Sequence, residues 1–337
     1  MKILVTGSAG FIGFHLTKRL LKEGHEVIAI DNLNHYYDIN LKKGRLKEIE
    51  KLVKKKLSKF TFYKIDLENF LEMKNIFNKH MPEVVINLAA QAGVRYSIEN
   101  PFEYMSSNLV GFLNLFECIR QTKVKHFLYA SSSSVYGGNT KYPFREVDPV
   151  DHPISLYAAT KRSNELIAHS YSHLYKIPST GLRFFTAYGP WGRPDMALFK
   201  FTKAILNNEQ IDIYNNGLCN RDFTYVDDVV ESVFRLIKFP PKTEDSSSND
   251  KPDSGLCPFQ VLNIGNSTSV NLLDFVNILE KVLDKKAKKN FLPLQPGDVV
   301  ETLAETTKLE NLIKFKPKTS IEYGVKKFVE WYKEFYG

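Results

Sequence analysis

Three glycines near the amino end decide most of what this chain can fold into. The run Thr6-Gly7-Ser8-Ala9-Gly10-Phe11-Ile12-Gly13 follows a short apolar stretch, Lys2–Thr6, and opens a helical pattern from about Ile12. Glycines spaced G-x-x-G-x-x-G between a strand and a helix leave room for a tight turn, for main chain to approach a pyrophosphate, and for the helix to pack on the strand. The helix N-terminus beyond them offers unpaired N–H groups and a positive dipole end to phosphate. A Gly-rich turn alone is weak evidence, and its position after a strand and before a helix gives it meaning.

Beyond this turn the chain keeps alternating strand and helix. Glu26–Ile30, Phe60–Ile65, Val84–Leu88 and His126–Ala130 read as strands, rich in Val, Ile, Leu and Phe with little polar alternation. Such runs suit a sheet covered on both faces. Helical patterns begin near Leu41, Phe70 and Pro101, and a longer one spans Ser155–Tyr175 before a strand at Ser179–Phe184. Strand–helix–strand units of this length predict an α/β fold with a doubly wound parallel sheet. After Phe185 come Gly/Pro turns, a helix near Leu198–Leu206, a strand Ile211–Tyr214 and a turn at Asn215-Asn216-Gly217. We expect residues 1–185 to form the first domain and 186–337 a smaller α/β lobe, with 226–264 packing back onto the first. The polar stretch 240–258 reads as an exposed insertion loop.

Composition narrows the function classes. At 43% hydrophobic and 25% charged residues, the chain has the balance of a globular protein. No apolar run approaches the ~18 residues of a spanning helix, and the early glycines interrupt any signal-peptide core. A cytoplasmic protein without membrane insertion is expected. Cys118, Cys219 and Cys257 are far apart, against a disulfide framework or a zinc knuckle. The net charge of +8 suggests nucleic acid until it is located: Lys42 to Lys59 holds nine Lys/Arg against Glu48 and Glu50, or +7. Leu46, Ile49 and Leu52/Val53 recur there at helical spacing, so the run reads as an amphipathic helix with a solvated basic face, and no nucleic-acid partner is expected. His169 and His173 lie i, i+4, but the glutamate of H-E-x-x-H is missing, and no metal is expected. Asp227-Asp228 reads as a cap for a helix near Val229.

Several side chains point to redox chemistry at strand ends. Asp31 closes the second strand, where a carboxylate can accept from both ribose hydroxyls and would repel a 2′-phosphate; this favours NAD over NADP. Asp66-Leu67 is either an adenine contact or a plain turn. Tyr157 and Lys161 are four apart on one helix and share a face. A phenol with pKa near 10 is a poor base at neutral pH, and a nearby ammonium favours phenolate. Tyr157 could then accept a substrate hydroxyl proton. Ser131-Ser132-Ser133-Ser134 ends the fifth strand, either as a polar turn or as hydroxyls facing a ligand.

Together these residues resemble the extended short-chain dehydrogenase/reductase family, over nearly the whole chain. Within it the sequence is similar to the UDP-glucuronate 4-epimerases. The likeness rests on Gln91-Ala92-Gly93-Val94-Arg95-Tyr96-Ser97, Leu156–Lys161, Gly181–Thr186, Tyr188–Ala197 and Arg221–Asp228. It implies a Rossmann-type domain that holds NAD through Gly7, Gly10, Phe11, Ile12, Gly13, Asp31, Asn32, Asp66, Leu67, Leu88, Ala89, Ala90, Asn108, Tyr157 and Lys161. It implies that NAD⁺ takes hydride from sugar C4 while Tyr157 takes the hydroxyl proton, that Ser132 bonds the same oxygen, and that the 4-keto sugar turns over and is reduced on its other face.

For a UDP-hexuronate substrate the resemblance adds anchors for a carboxylate that a β-keto acid would otherwise lose as CO₂. These are Arg193, Thr186, Ser133 and Ser134, with Arg95 a weaker candidate. Arg221 matches the diphosphate-binding arginine, Ile211–Tyr214 would lie beside the uracil, and Asp298 matches the uridine-ribose contact. Gln295 departs from the galactose-type pattern, which has a second phosphate arginine there. The 4,6-dehydratases carry an acidic pair where this chain has Ser133 and Ser134, and the UDP-xylose-forming decarboxylases carry a glutamate at Ser134. Epimerisation of a neutral or N-acetylated UDP-sugar, decarboxylation, and a catalytically idle NAD-sensing module remain the alternatives. A homodimer through the helices near Pro101–Gln121 and Ser155–Tyr175 is implied by the resemblance alone.

Overall fold

A computed structural model of the chain describes residues 1–56, 58–243 and 256–337. Most of the expected loop at 240–258 lies outside the described residues. Seven parallel strands form the main sheet: β1 (Lys2–Thr6), β2 (Glu26–Ile30), β3 (Phe60–Tyr63), β4 (Val84–Asn87), β5 (His126–Ser132), β6 (Ser179–Phe184) and, out of sequence, Phe259–Ile264. Counting β7 (Thr186–Tyr188), β8 (Gln210–Tyr214) and β9 (Asn220–Tyr225), that last strand is β10, and the order is β10-β6-β5-β4-β1-β2-β3. The order reverses between β1 and β4, and ligands in such sheets bind at the strand carboxyl ends beside that reversal.

Both faces are covered, as the strand composition requires. Ile3, Val5, Val27 and Ala29 pack towards the helices Phe11–Lys22 and Val226–Leu236. Leu4, Ile28, Val85, Phe127 and Tyr129 pack beneath Phe70–His80 and Gly111–Arg120. The second lobe has its own core around Phe199, Ile211, Ile213, Phe223, Phe275 and Phe328. It contains two small sheets, β7-β9 with β11 (Ser269–Asn271), and β8 with β12 (Lys288–Leu292).

The strands end where their partners do. β3 stops at Tyr63, opposite Ile30, and β4 at Asn87, opposite Thr6, so both are shorter than the apolar runs suggest. β5 runs two residues past Ala130, because Ser131 and Ser132 pair with Arg183 and Phe184. The Leu156–Tyr175 helix begins on Ser155, whose side chain accepts from the Ala158 N–H.

Two expectations are corrected. Asp227 and Asp228 do not cap a helix at Val229: the helix starts at Val226, and the Asp228 carboxylate instead accepts from the backbone N–H groups of Lys318 and Thr319. The basic helix, Ile39–Lys56, is not solvated along all of its cationic residues. Arg45 is fully buried and Lys42 nearly so. Arg45 shares the apolar face of Leu41 and Ile49 at i, i+4 spacing. It donates to the Ala9 carbonyl (2.8 Å), the Tyr37 hydroxyl (2.7 Å) and the Trp191 carbonyl (2.6 Å), which replace its water.

Candidate active site

The cofactor half is built mainly from main chain. Gly7 sits at φ +67°, and a Cβ there would lie 2.7 Å from the Ala89 nitrogen. A Cβ on Gly13 would lie 2.0 Å from the Gly7 carbonyl oxygen, so the helix packs on the turn only without one. The first-turn N–H groups of Phe11, Ile12 and Gly13 have no intrahelical acceptor. Phe11 is itself core, and Ile12 is half-buried. Asp31 is buried, and its carboxylate accepts from Ala9 N–H (3.0 Å) and Leu33 N–H (2.8 Å), which brings the end of β2 onto the turn. Thr6 accepts from the Ala89 N–H (3.2 Å), joining the Leu88-Ala89-Ala90 segment to the same place.

Other expected cofactor residues are engaged with protein. Both Asp66 oxygens have donors, Asn32 Nδ2 (2.8 Å) and Glu68 N–H (3.1 Å), so the turn role is filled. Leu67 is buried, and a Cβ on Gly111 would meet it. The Asn108 amide is engaged with protein, bonding both backbone groups of Gln91 and the Thr160 hydroxyl. It lies buried in the π-helical turn Met105–Val110 and clamps the Gln91 loop to the Tyr157 helix.

The reacting end lies where β5, that helix and the turn after β7 meet. Tyr157 is half-buried, with its ring 6.1 Å from Tyr104. Burial raises the phenol's pKa, while a hydrogen bond with Ser132 and the positive charge of Arg193 oppose the rise. Lys161 does not act on the phenol as its spacing suggests. Its buried ammonium donates to the Ala130 carbonyl at 2.9 Å, and burial pulls its pKa down to about 8. The four-carbon stem reaches back to the strand end, where a carbonyl is a better acceptor than a neutral phenol. One helical turn further, buried Glu165 accepts from Ser131 (2.6 Å) and from Arg183 through Nε and Nη2 (2.9 Å each), which fixes the helix against β5 and β6.

Ser133, Ser134, Thr186, Arg221 and Asp298 line one cleft. The Ser132 hydroxyl accepts from the Ser134 N–H, opening the turn Ser133–Tyr136. The expected cations are all held by protein. Arg95 pairs with Asp298 (2.8 Å) and lies over the Tyr214 ring, 4.5 Å from its centroid. Arg221 donates to the carbonyls of Asn220, Val299 and Val300, so it is neither free nor part of a surface ion pair. Arg193 pairs with Asp195. Ile211 is 2% exposed in the second core, and strand alternation turns its side chain away from Tyr214's face. His169 and His173 are exposed, and His169 packs against Phe259. Among the described residues no cluster of three His, Cys, Asp or Glu could hold a metal ion.

The family model described as the NAD dependent epimerase/dehydratase family matches residues 3–248. This chain belongs to that family. It is 58% identical to Protein CapI of Staphylococcus aureus, over all of this chain and 99% of that one. It is 49% identical to a probable UDP-glucuronate 4-epimerase of Rhizobium meliloti, over all of this chain and 98% of that one. A crystal structure of UDP-glucuronic acid 4-epimerase from Bacillus cereus, in complex with UDP-glucuronic acid and NAD, superposes with a TM-score of 0.87 at 33% identity, covering both chains fully.

Within this epimerase/dehydratase family member, sequence reasoning missed Asp195, Tyr36 and Arg45. Asp195 stands two residues after Arg193, a spacing that could have signalled the pair. Arg45 could have been picked out because it falls at i, i+4 spacing between Leu41 and Ile49 on the helix's apolar side. Tyr36 gave no signal, since its partner Asp195 is 159 residues away.

Proposed function

We infer that the chain is a UDP-glucuronate 4-epimerase that interconverts UDP-glucuronate and UDP-galacturonate through a transient 4-keto sugar, with NAD held beside the sugar. The observation that carries this is the meeting of a phenol, a serine hydroxyl and a guanidinium, Tyr157, Ser132 and Arg193, at strand ends next to a glycine turn. The likeness to the Rhizobium meliloti and Bacillus cereus proteins supports the substrate.

The residues suit a dinucleotide. First-turn N–H groups without an intrahelical acceptor stand at the glycine turn, and the Asp31 carboxylate beside it would accept ribose hydroxyls. When bound, the dinucleotide supplies the hydride acceptor and donor at C4. Tyr157 takes the C4 hydroxyl proton and later returns it, while Ser132 holds the same oxygen. Lys161, its pKa pulled down to about 8 by burial, holds the nicotinamide ribose when the dinucleotide is bound. Arg193 Nη1, Thr186 and the Ser133 and Ser134 hydroxyls anchor the carboxylate. With serines at 133 and 134, the turn after Ser132 carries no acid for dehydration or for the decarboxylases' step.

The domain division at 185/186 follows the same logic, with one lobe for the cofactor and one for the nucleotide sugar. We also propose a homodimer: Phe102, Met105, Val110, Leu113, Leu166 and Leu174 are exposed on the two helical segments that would pair. A mass in solution twice that of the chain is expected, and a monomer at micromolar concentration would refute it. No helix among the described residues is long and apolar enough to cross a membrane. Three free, buried cysteines suit a reducing compartment such as the cytoplasm.

The purified protein, given UDP-glucuronate and no added NAD, should yield UDP-galacturonate by NMR. A UDP-pentose as main product would overturn the assignment.

A further inference from the structure

Arg193 does not meet the cleft as a free guanidinium. Its Nε donates to Asp195 Oδ1 at 3.0 Å and its Nη2 to Oδ2. Only Nη1 is left without a protein partner among the described residues. Asp195 Oδ2 also accepts from the Tyr36 hydroxyl at 3.2 Å. Tyr36 leans on Tyr96, with ring centres 4.8 Å apart, Tyr96 neighbours Tyr104 at 6.2 Å, and Tyr104 neighbours Tyr157 at 6.1 Å. The turn that carries Arg193 and Asp195 is tied from behind to the cofactor half, by His15 at the Pro190 carbonyl (2.9 Å) and Arg45 at the Trp191 carbonyl (2.6 Å).

We infer that Asp195 is a positioning residue of the proton-transfer step: it fixes the Arg193 guanidinium with Nη1 as its free donor and balances the charge that this guanidinium presents to Tyr157. The inference rests on the epimerase reading above. An epimerase uses its base in both directions, because the phenol must take a proton and give it back. An unbalanced guanidinium acting on the phenol would favour phenolate but make it a weaker base, so the return of the proton would be eased at the expense of its uptake. A guanidinium paired with a carboxylate keeps its direction, and so can orient a uronate carboxylate through Nη1, while exerting little net charge.

Among the described residues, the groups that act on the phenol come from three elements besides its own helix. Ser132 comes from β5, Tyr104 from the Pro101–Tyr104 turn, and Arg193 and Asp195 from the turn after β7. Lys161, on the phenol's own helix, is engaged with Ala130. Burial and Asp195 raise the phenol's proton affinity, and Ser132 and Arg193 lower it. Burial disfavours the Asp195 carboxylate, but Arg193 outweighs this and holds it below the usual carboxylate range.

Asp195→Asn keeps the shape of the side chain and removes its charge. In the pH profile of kcat/KM for UDP-glucuronate, the limb that rises with pH should move to lower pH by about half a unit or more. A purely structural lesion would lower kcat/KM without moving that limb, and the melting temperature and bound NAD measured alongside identify such a lesion. Asp195→Ser repeats the test if the amide disturbs the turn. An unmoved limb, or one displaced to higher pH, overturns the inference and leaves the epimerase reading standing. If the wild-type protein epimerises no UDP-hexuronate, the reading fails instead. The inference is then tested on the phenol's own alkaline absorbance titration, taken as each protein minus its Tyr157→Phe counterpart. The same downward displacement is expected there, and its absence overturns the inference independently.

Discussion

The two halves of the cleft are made ready in different ways. On the cofactor side, Gly7, Gly13 and the first-turn N–H groups form a surface of main chain, and Asp31 is held by two backbone donors 22 and 2 residues away. On the substrate side, every expected arginine already has an acceptor: Arg95 has Asp298, Arg193 has Asp195, and Arg221 has three carbonyls. The first half is a rigid imprint, whereas binding to the second exchanges protein partners for substrate. A carboxylate or diphosphate gains only the difference between its own hydrogen bonds and those it displaces.

Mutations that break the comparison should separate along that line. Tyr157→Phe sits where the halves join and should lower turnover of every UDP-sugar by about 10²–10⁴-fold, with NAD still bound; turnover within tenfold of wild type would remove the phenol from the mechanism. Lys161 sets a limit on how rigid the cofactor half is, because its ammonium is buried with its pKa at about 8, below the ordinary 10.5. The unfolded chain takes up that proton first as pH falls, so the group costs stability below pH 8 and the cost fades as pH rises through 8 towards 10.5. Lys161→Met should therefore gain stability relative to wild type on going from pH 10 to pH 7, by up to about 3 kcal/mol. Chemical denaturation at the two pH values reads this, and a pH-independent difference would show the amine to be ordinarily solvated.

Arg193→Ala tests the exchangeable half. It should lower kcat/KM for UDP-glucuronate by about 10- to 100-fold more than for UDP-glucose; equal losses would remove its carboxylate role. Gly13→Ala tests the imprint: a Cβ 2.0 Å from the Gly7 oxygen should cost about 1–3 kcal/mol and strip bound NAD, impairing both sugars alike. A variant that kept its NAD would show that the turn yields. Arg95→Ala should change stability by at most about 1 kcal/mol, since its guanidinium is exposed and its pair with Asp298 only partly covered. A larger loss in thermal unfolding would make that pair a true brace between the lobes.

Local rules carried the sequence reading where they applied. The glycine spacing, the strand–helix alternation and Tyr157 beside Lys161 on one face all follow from short-range geometry. The same rules failed for the basic helix, where charge suggested solvent but Arg45 lies on the stripe of Leu41 and Ile49. They failed again for Lys161, where a shared face did not mean a shared hydrogen bond.

The order of elements, the position of the glycine turn and the choice of Tyr157 as candidate phenol were set by residues within one or two turns of each other, where backbone geometry leaves few alternatives. What each long cation touches was decided only by the fold. Arg95 meets Asp298 across 203 positions, Arg45 meets Trp191 across 146, and Tyr36 meets Asp195 across 159. A guanidinium on a flexible stem takes whichever acceptor the packed lobes bring within reach, and that acceptor exists only once the chain has closed on itself.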